Sequence, residues 1–182
     1  MKRNIEASTT ARAPIDQARG IIRDVVGCIL AERCSPEDRK ERRFHTSLAV
    51  EAAGGGGLHQ EVVVEAGRPT PAETGVVLPV RWRAAGHERL LPTFDGALEL
   101  QEDGLRTRLL LRGAYTVPLG VLGRVGDAVA GRKAAHQSLA SFVEQVARRL
   151  DAEADRRMES ISYHPAPYHV DLREVGPECD AG

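Results

Sequence analysis

The chain has 182 residues, a length typical of one domain, which would bury roughly 70% of the surface that its unfolded form exposes. Its 25 Lys and Arg against 26 Asp and Glu give a formal net charge of -1, and both signs are spread along the chain. This balance, with an aromatic content of 4%, argues against a nucleic-acid-binding protein, which would carry a basic stripe or stacking platforms. No stretch approaches about 18 consecutive apolar residues, so no membrane span is predicted.

The three cysteines indicate free thiols in a reducing cytoplasm. Cys28, Cys34 and Cys179 are odd in number and lack the CxxC spacing or nearby His pair of a metal site. The first ten residues lack the apolar run of a signal peptide. We therefore expect a cytoplasmic protein without a metal or another cofactor.

The N-terminal part predicts a strand followed by helical segments. Ile5 and Ala7 alternate with polar residues, which favours a strand over Asn4 to Thr10. After Pro14, apolar residues at helical spacing predict a helix over Ile15 to Leu30. The sequence Ser-Pro-Glu-Asp from residue 35 is typical of a helix start and predicts a short charged turn or helix through residue 43.

Five further segments with period-two character predict an antiparallel meander. We place these strands at Phe44–Ala52, Leu58–Ala66, Gly75–Ala85, Thr93–Gln101 and Arg106–Val117. Alternation predicts which side chains share the buried face. They are Leu78, Val80, Trp82, Ala84, Phe94, Leu98, Leu100, Leu109, Leu111 and Tyr115. Since Arg81, Asp95 and Arg112 point the other way, the sheet has one apolar face that another element must cover.

A long helix from Asp127 to about Arg156 is the predicted cover of that face. Its apolar stripe comprises Ala128, Ala135, Leu139, Phe142, Val143, Val146 and Leu150. Ser138, Ser141, Glu144, Gln145 and Arg148 are predicted on the opposite side. Periodicity stops after Arg157, so we predict one domain over residues 1–157 and an extended or disordered tail over residues 158–182.

This order of elements resembles the helix-grip fold of the START and Bet v 1-like superfamily, called SRPBCC. The fold is of the α+β class, with a curved antiparallel sheet of about six strands wrapped around a long C-terminal helix. The blocks Val77–Ala84, Leu91–Leu100 and Gly113–Gly120 are similar to bacterial polyketide cyclase-like proteins of the superfamily. The resemblance implies a pocket between the concave sheet face and the last helix for lipids, polyketides or other apolar molecules.

Eight residues are the predicted ligand-binding set, because such a cavity is mostly apolar with a few orienting polar groups. They are Trp82, Phe94, Leu98, Leu111, Tyr115, Arg132, His136 and Leu139. Thr46 and Gln60 are further polar residues predicted on the inner face. No catalytic residue is assigned, and the sequence leaves the ligand and the oligomeric state open.

Arg132 and His136 admit two interpretations. They lie one helical turn apart at the centre and edge of the apolar stripe, so Arg132 could bind a ligand oxygen while His136 moves protons. Alternatively, Arg132 extends to water and His136 is a half-buried helix residue. The first interpretation fits a polyketide cyclase, aromatase or dehydratase, and the second fits a protein that binds a hydrophobic ligand unchanged. A protein-interaction module remains a third hypothesis.

Overall fold

The computed structural model describes residues 2–31, 35–51, 57–86, 93–116 and 128–162. Within them an antiparallel sheet of seven strands is combined with three helices. The elements are β1 Lys2–Ala11, α1 Ile15–Leu30, α2 Pro36–Glu41, β2 Arg43–Glu51, β3 Gly57–Ala66, β4 Thr70–Ala72, β5 Gly75–Ala84, β6 Thr93–Asp103, β7 Arg106–Thr116 and α3 Ala128–Ser162. None of these helices combines the length and apolarity needed to cross a membrane.

The sheet has the strand order β1-β7-β6-β5-β3-β2, so β1 and β2 form its two edges. β4 lies off this path and pairs with β5 through Thr70 to Ala72. The sequence predicted only a turn there, because three residues that include a proline are too short to show alternation. The α+β class and the antiparallel sheet are confirmed, with one short strand more than expected.

The predicted alternation of buried and exposed residues is confirmed. Leu78, Val80, Trp82 and Ala84 of β5 are buried, as are Phe94, Leu98 and Leu100 of β6 and Leu109, Leu111 and Tyr115 of β7. The outer face is charged: the Arg81 guanidinium lies 3.1 Å from Asp95, and that of Arg43 lies 3.4 Å from Glu65. The sheet therefore has one face that must be covered.

Helix α3 covers the inner face with the predicted apolar stripe. Ala135, Leu139, Phe142, Val143, Val146 and Leu150 are all buried. The side chain of Ala128 lies outside the described residues. Burial of the larger side chains stabilises the docked helix by about 1.5 to 3 kcal/mol each.

Ser141 and Gln145 do not lie on the solvent side of α3, which corrects the prediction. The Ser141 hydroxyl accepts a hydrogen bond from the backbone N–H of Ala49 at 3.3 Å. The Gln145 amide donates to the carbonyl of Ser47 at 2.8 Å, and its oxygen accepts from the Thr46 hydroxyl at 3.5 Å. Ser141 and Gln145 thus bond to groups on the free edge of β2, whose backbone would otherwise be exposed. We call Ser141, Gln145 and their partners Thr46, Ser47 and Ala49 the polar seam.

The other edge of the sheet is held by a carboxylate of the same helix. One oxygen of Asp151 accepts from the backbone N–H groups of Arg12 and Ala13 at 2.8 and 3.1 Å, just after β1. The two helix residues that contact the two edges, Gln145 and Asp151, are six residues apart, which is about 9 Å along the helix axis. A flat sheet of six strands would be wider, since its five inter-strand spacings add up to about 24 Å. The sheet must therefore curve, because only then can such a short part of α3 contact both of its edges.

Helix α3 continues to Ser162, past the residue at which the periodicity of the sequence stops. The predicted boundary at Arg157 thus falls inside the helix, where the Arg157 guanidinium lies 3.3 Å from Asp24 of α1 and 3.1 Å from Glu153. Residues 163–182 lie outside the described residues. The division into residues 1–157 and a tail stays a prediction.

Replacing Gln145 by Ala is expected to lower the free energy of unfolding by about 1 to 3 kcal/mol, because the buried Thr46 hydroxyl and the Ser47 carbonyl lose a partner. Urea denaturation followed by circular dichroism measures this change. Glu144→Ala removes the neighbouring exposed side chain and should change stability by less than about 0.5 kcal/mol. Equal effects of the two variants would show that the polar seam does not hold the helix to β2.

Candidate functional site

Several strands begin or end at the same end of the sheet. Antiparallel pairing brings together Glu51 of β2, Ala84 of β5, Thr93 of β6 and Thr116 of β7 at this end, which we call the upper end. The connections 52–56, 87–92 and 117–127 all leave from it and lie outside the described residues. Helix α3 runs from the side of this end, where His136 lies near Asn4, to the lower end, where Asp151 bonds to the backbone of Arg12.

Aromatic side chains line the inner face near the upper end. The register places Tyr115 opposite Phe94, and Phe94 opposite Trp82. The rings of Trp82 and Phe94 stack with centroids 4.2 Å apart and planes inclined by 20°. Phe142 of α3 approaches Trp82 from the helix side with centroids 5.0 Å apart. We call Trp82, Phe94 and Phe142 the aromatic cluster, and each of the three is buried.

Two glycines make room for the cluster in the next row of the sheet. Gly96 and Gly113 face each other across β6 and β7. A Cβ atom on Gly96 or Gly113 would lie 2.7 or 2.8 Å from Cζ of Phe94, closer than real Cβ contacts. The Phe94 ring therefore lies over both glycines, an arrangement in which an aromatic residue covers the backbone that glycine exposes.

Six of the eight predicted site residues are buried on the surfaces that face each other across the core. They are Trp82, Phe94, Leu98, Leu111, Tyr115 and Leu139. Leu98 and Leu111 are directly paired. The structure thus gathers these six residues on the inner side of the sheet and on α3, while their contact with a ligand stays a prediction.

His136, unlike these six residues, lies at the surface. His136 is exposed and lines a surface recess of about 720 Å³ with Asn4, Glu6 and Ala114, next to the edge strand β1. Arg132 belongs to α3, but its side chain lies outside the described residues. The roles assigned to both residues stay predictions.

Sequence reasoning missed Arg3. Arg3 pairs with Tyr115 in the β1–β7 register. It is two residues from the buried Ile5 along β1, so it lies on the same, inner face of the sheet. Its side chain is half-buried. The signal was present in the sequence, because the alternation that turns Ile5 inward continues to Arg3, but the predicted strand began at Asn4, two residues after the start of β1.

Other polar groups on the inner face have structural roles. The Thr107 hydroxyl donates to the Ala13 carbonyl at 2.7 Å, and Thr46 belongs to the polar seam. The side chain of Gln60 lies outside the described residues. In the part of the chain that the structure describes, no buried side-chain nitrogen or oxygen lacks a hydrogen-bond partner. Within the same residues no cluster of His, Cys, Asp and Glu could hold a metal ion.

Shifted pKa values occur at contacts that hold the fold together. Hydrogen bonding to Asp155 and Asp151 raises the pKa of Arg12 at the lower end of β1. Hydrogen bonds with Ser35 lower the pKa of Asp38 in the capping box of α2. These contacts fix a chain turn and a helix start, so the charged groups with shifted pKa values stabilise the fold.

Gly96→Ala is expected to destabilise the protein by about 1 to 3 kcal/mol, because the new methyl group forces the Phe94 ring and the neighbouring backbone apart. Thermal unfolding followed by Trp82 fluorescence reports both the stability and the altered cluster. Gly20→Ala is the matched control, since its Cβ would meet only Arg157 Nη1 at 3.8 Å and alanine favours the helix by about 0.5 to 1 kcal/mol. An unchanged Gly96→Ala protein would contradict the placement of Phe94 over the glycines.

The fold has relatives among solved structures. The Zhui aromatase/cyclase from Streptomyces sp. R1128 is 17% identical, with a TM-score of 0.50 over 87% of this chain and 96% of that one. The di-domain aromatase/cyclase StfQ from the steffimycin biosynthetic pathway is 13% identical, with a TM-score of 0.51 over 87% of this chain and 53% of that one.

Comparison of the amino-acid sequence with family models and curated proteins identifies no relative. No family model matches the chain, and no curated protein matches it. The likeness to the two aromatase/cyclase structures, at these identities, concerns the fold. The chain therefore has the helix-grip fold that the sequence predicted.

Proposed function

We propose that the protein binds a small hydrophobic ligand, lipid-like or polyketide-like, between the inner sheet face and α3 at the upper end. The observation that supports this most strongly is the aromatic cluster beside the buried Tyr115, near the upper end of the inner face. Aromatic faces next to a few polar groups are the usual lining of small-molecule sites. Ligand rings can stack on such faces and gain about 0.5 to 1.5 kcal/mol per ring pair beyond the burial of area.

The contrast between the two faces of the sheet supports the same side for the ligand. The recesses on the outer face, about 420 and 370 Å³, are lined by charged residues that include the exposed Arg81 and Asp95 and the half-buried Glu65. An apolar molecule would gain little there, because those charges would have to lose water. The inner face offers apolar surface that is already removed from water.

A polyketide cyclase, aromatase or dehydratase is the alternative, and two structural neighbours carry the name aromatase/cyclase. It would use Arg132, His136 and Tyr115 as orienting or proton-transferring groups. Of these, Tyr115 is buried on the inner face and His136 is exposed at the edge of the sheet. Binding without chemistry needs no such triad, so we prefer it. The hypothesis of an interaction module stays a prediction.

The single tryptophan of the chain allows a direct binding test. N-phenyl-1-naphthylamine is neutral, fluoresces in apolar sites and accepts energy from tryptophan. We expect it to bind with saturable energy transfer from Trp82 and to raise the Tm, since a ligand that binds only the folded state stabilises it. Absence of both effects for this probe would contradict the proposed function.

Ala84→Leu tests whether the probe binds at the upper end. Ala84 is buried next to Trp82 along the inner face of β5, so a larger side chain there would occupy ligand space. We expect the affinity for the probe to fall at least about tenfold. Ala97→Leu places the same side chain on the outer face of β6 and should leave the affinity unchanged. A tight complex in Ala84→Leu would place the probe elsewhere.

A further inference from the structure

We infer that the indole N–H of Trp82 is a specificity determinant of the site: it donates a hydrogen bond to an oxygen of the ligand, so the site takes ring compounds that carry a carbonyl or a similar acceptor oxygen. This inference rests on the proposed function and adds to it the chemical class of the ligand. It starts from two polar atoms at the tips of otherwise buried side chains.

Trp82 and Tyr115 are buried residues whose polar atoms are unpaired. Only 5% of Trp82 and 3% of Tyr115 are exposed. Within the described residues, neither the indole nitrogen of Trp82 nor the phenol oxygen of Tyr115 takes part in a hydrogen bond. Such groups usually find a partner when they are buried. Their capacity to form a hydrogen bond is therefore left for a ligand.

The two polar atoms border on accessible space. In the part of the chain that the structure describes, every fully buried side-chain nitrogen or oxygen has a hydrogen-bond partner. The unpaired atoms of Trp82 and Tyr115 are therefore not among the fully buried ones, and the small exposed fraction of each residue includes its polar tip. A small molecule can thus contact both atoms without breaking a hydrogen bond of the protein.

Trp82 and Tyr115 flank Phe94 in one row of the inner face. Trp82 pairs with Phe94 of β6, and Phe94 pairs with Tyr115 of β7. The row spans two inter-strand spacings, which is about 10 Å. The rings of Trp82 and Phe94 stack with centroids 4.2 Å apart. A ligand of two or three fused rings can therefore lie along this row and place an oxygen near either end of it.

The chemistry of the indole selects an acceptor on the ligand. Its N–H group can only donate, so a ligand that covers it without offering a lone pair leaves a donor buried and unpaired. Sites that hydrogen-bond a ligand reject analogues without that group more strongly than apolar pockets reject a small change of shape. The Tyr115 hydroxyl donates or accepts, so it suits a second oxygen of either kind. Plain hydrocarbons and unsubstituted alkyl chains are therefore disfavoured.

The test compares two compounds of nearly equal shape, 2-acetylnaphthalene and 2-isopropenylnaphthalene, which differ by C=O against C=CH2. Their affinities are measured by displacement of N-phenyl-1-naphthylamine. Since Trp82 is the single tryptophan, the chain needs one replacement, by 3-benzothienylalanine, in which sulfur takes the place of the N–H group. We expect this replacement to lower the affinity for the ketone about 5- to 30-fold, while the affinity for the alkene does not fall.

Infrared spectroscopy tests the hydrogen bond in the unaltered protein. The stretching frequency of a carbonyl group falls when its oxygen accepts a hydrogen bond. We expect the carbonyl of bound 2-acetylnaphthalene, labelled with carbon-13, to absorb at a lower wavenumber than the same compound in hexane. In the protein with 3-benzothienylalanine at position 82, the band should move back toward its position in hexane.

Thr116→Val is the matched control, because it removes a hydroxyl from the exposed, outward-facing neighbour of Tyr115 on β7. It should leave both affinities unchanged. A carbonyl band at the same position as in hexane, or an equal loss of affinity for ketone and alkene on replacing Trp82, would show that the inference is wrong while the proposed function stands. The inference also fails if only Tyr115→Phe weakens the ketone. If N-phenyl-1-naphthylamine and both compounds do not bind, the proposed function fails as well.

Discussion

The structure depends on one helix that closes a sheet with a single apolar face and two free edges. Helix α3 covers the apolar face with its stripe, and its polar side chains reach the backbone of both edges: Ser141 and Gln145 bond to β2, and Asp151 bonds to the turn after β1. Because these contacts lie within a short length of helix, the sheet has to curve around it. The curvature gives the sheet a concave inner face, which α3 covers.

The two ends of this curved sheet serve different purposes. At the lower end, Asp151 and the buried Thr107 tie the turn after β1 to the core, and the capping box of Ser35 and Asp38 fixes the start of α2. At the upper end the inner face carries aromatic rings and the glycine pair beneath Phe94. Polar bonds thus hold the lower end together, whereas buried aromatic rings pack the inner face near the upper end against α3.

Much of the fold followed from the sequence because alternation and helical spacing report burial directly. They identified the inward positions of Trp82 and Tyr115 and the stripe on α3. These patterns failed where the environment of a residue depends on how two elements are arranged in space. A helical pattern cannot show that Ser141 and Gln145 face an edge strand, because they do so only when the sheet curves past the apolar stripe of the helix. Arg3 was missed because the predicted strand began at Asn4, although the alternation that turns Ile5 inward continues to Arg3.

A crystal structure of the protein with N-phenyl-1-naphthylamine tests the central claim most directly. The account predicts the naphthyl group between the sheet and α3 at the upper end, within van der Waals contact of Trp82, Tyr115 or Leu139, which the present structure places on facing surfaces of the core. The probe bound instead among the charged side chains of the outer face, with the inner face closed by the protein's own side chains, would contradict it.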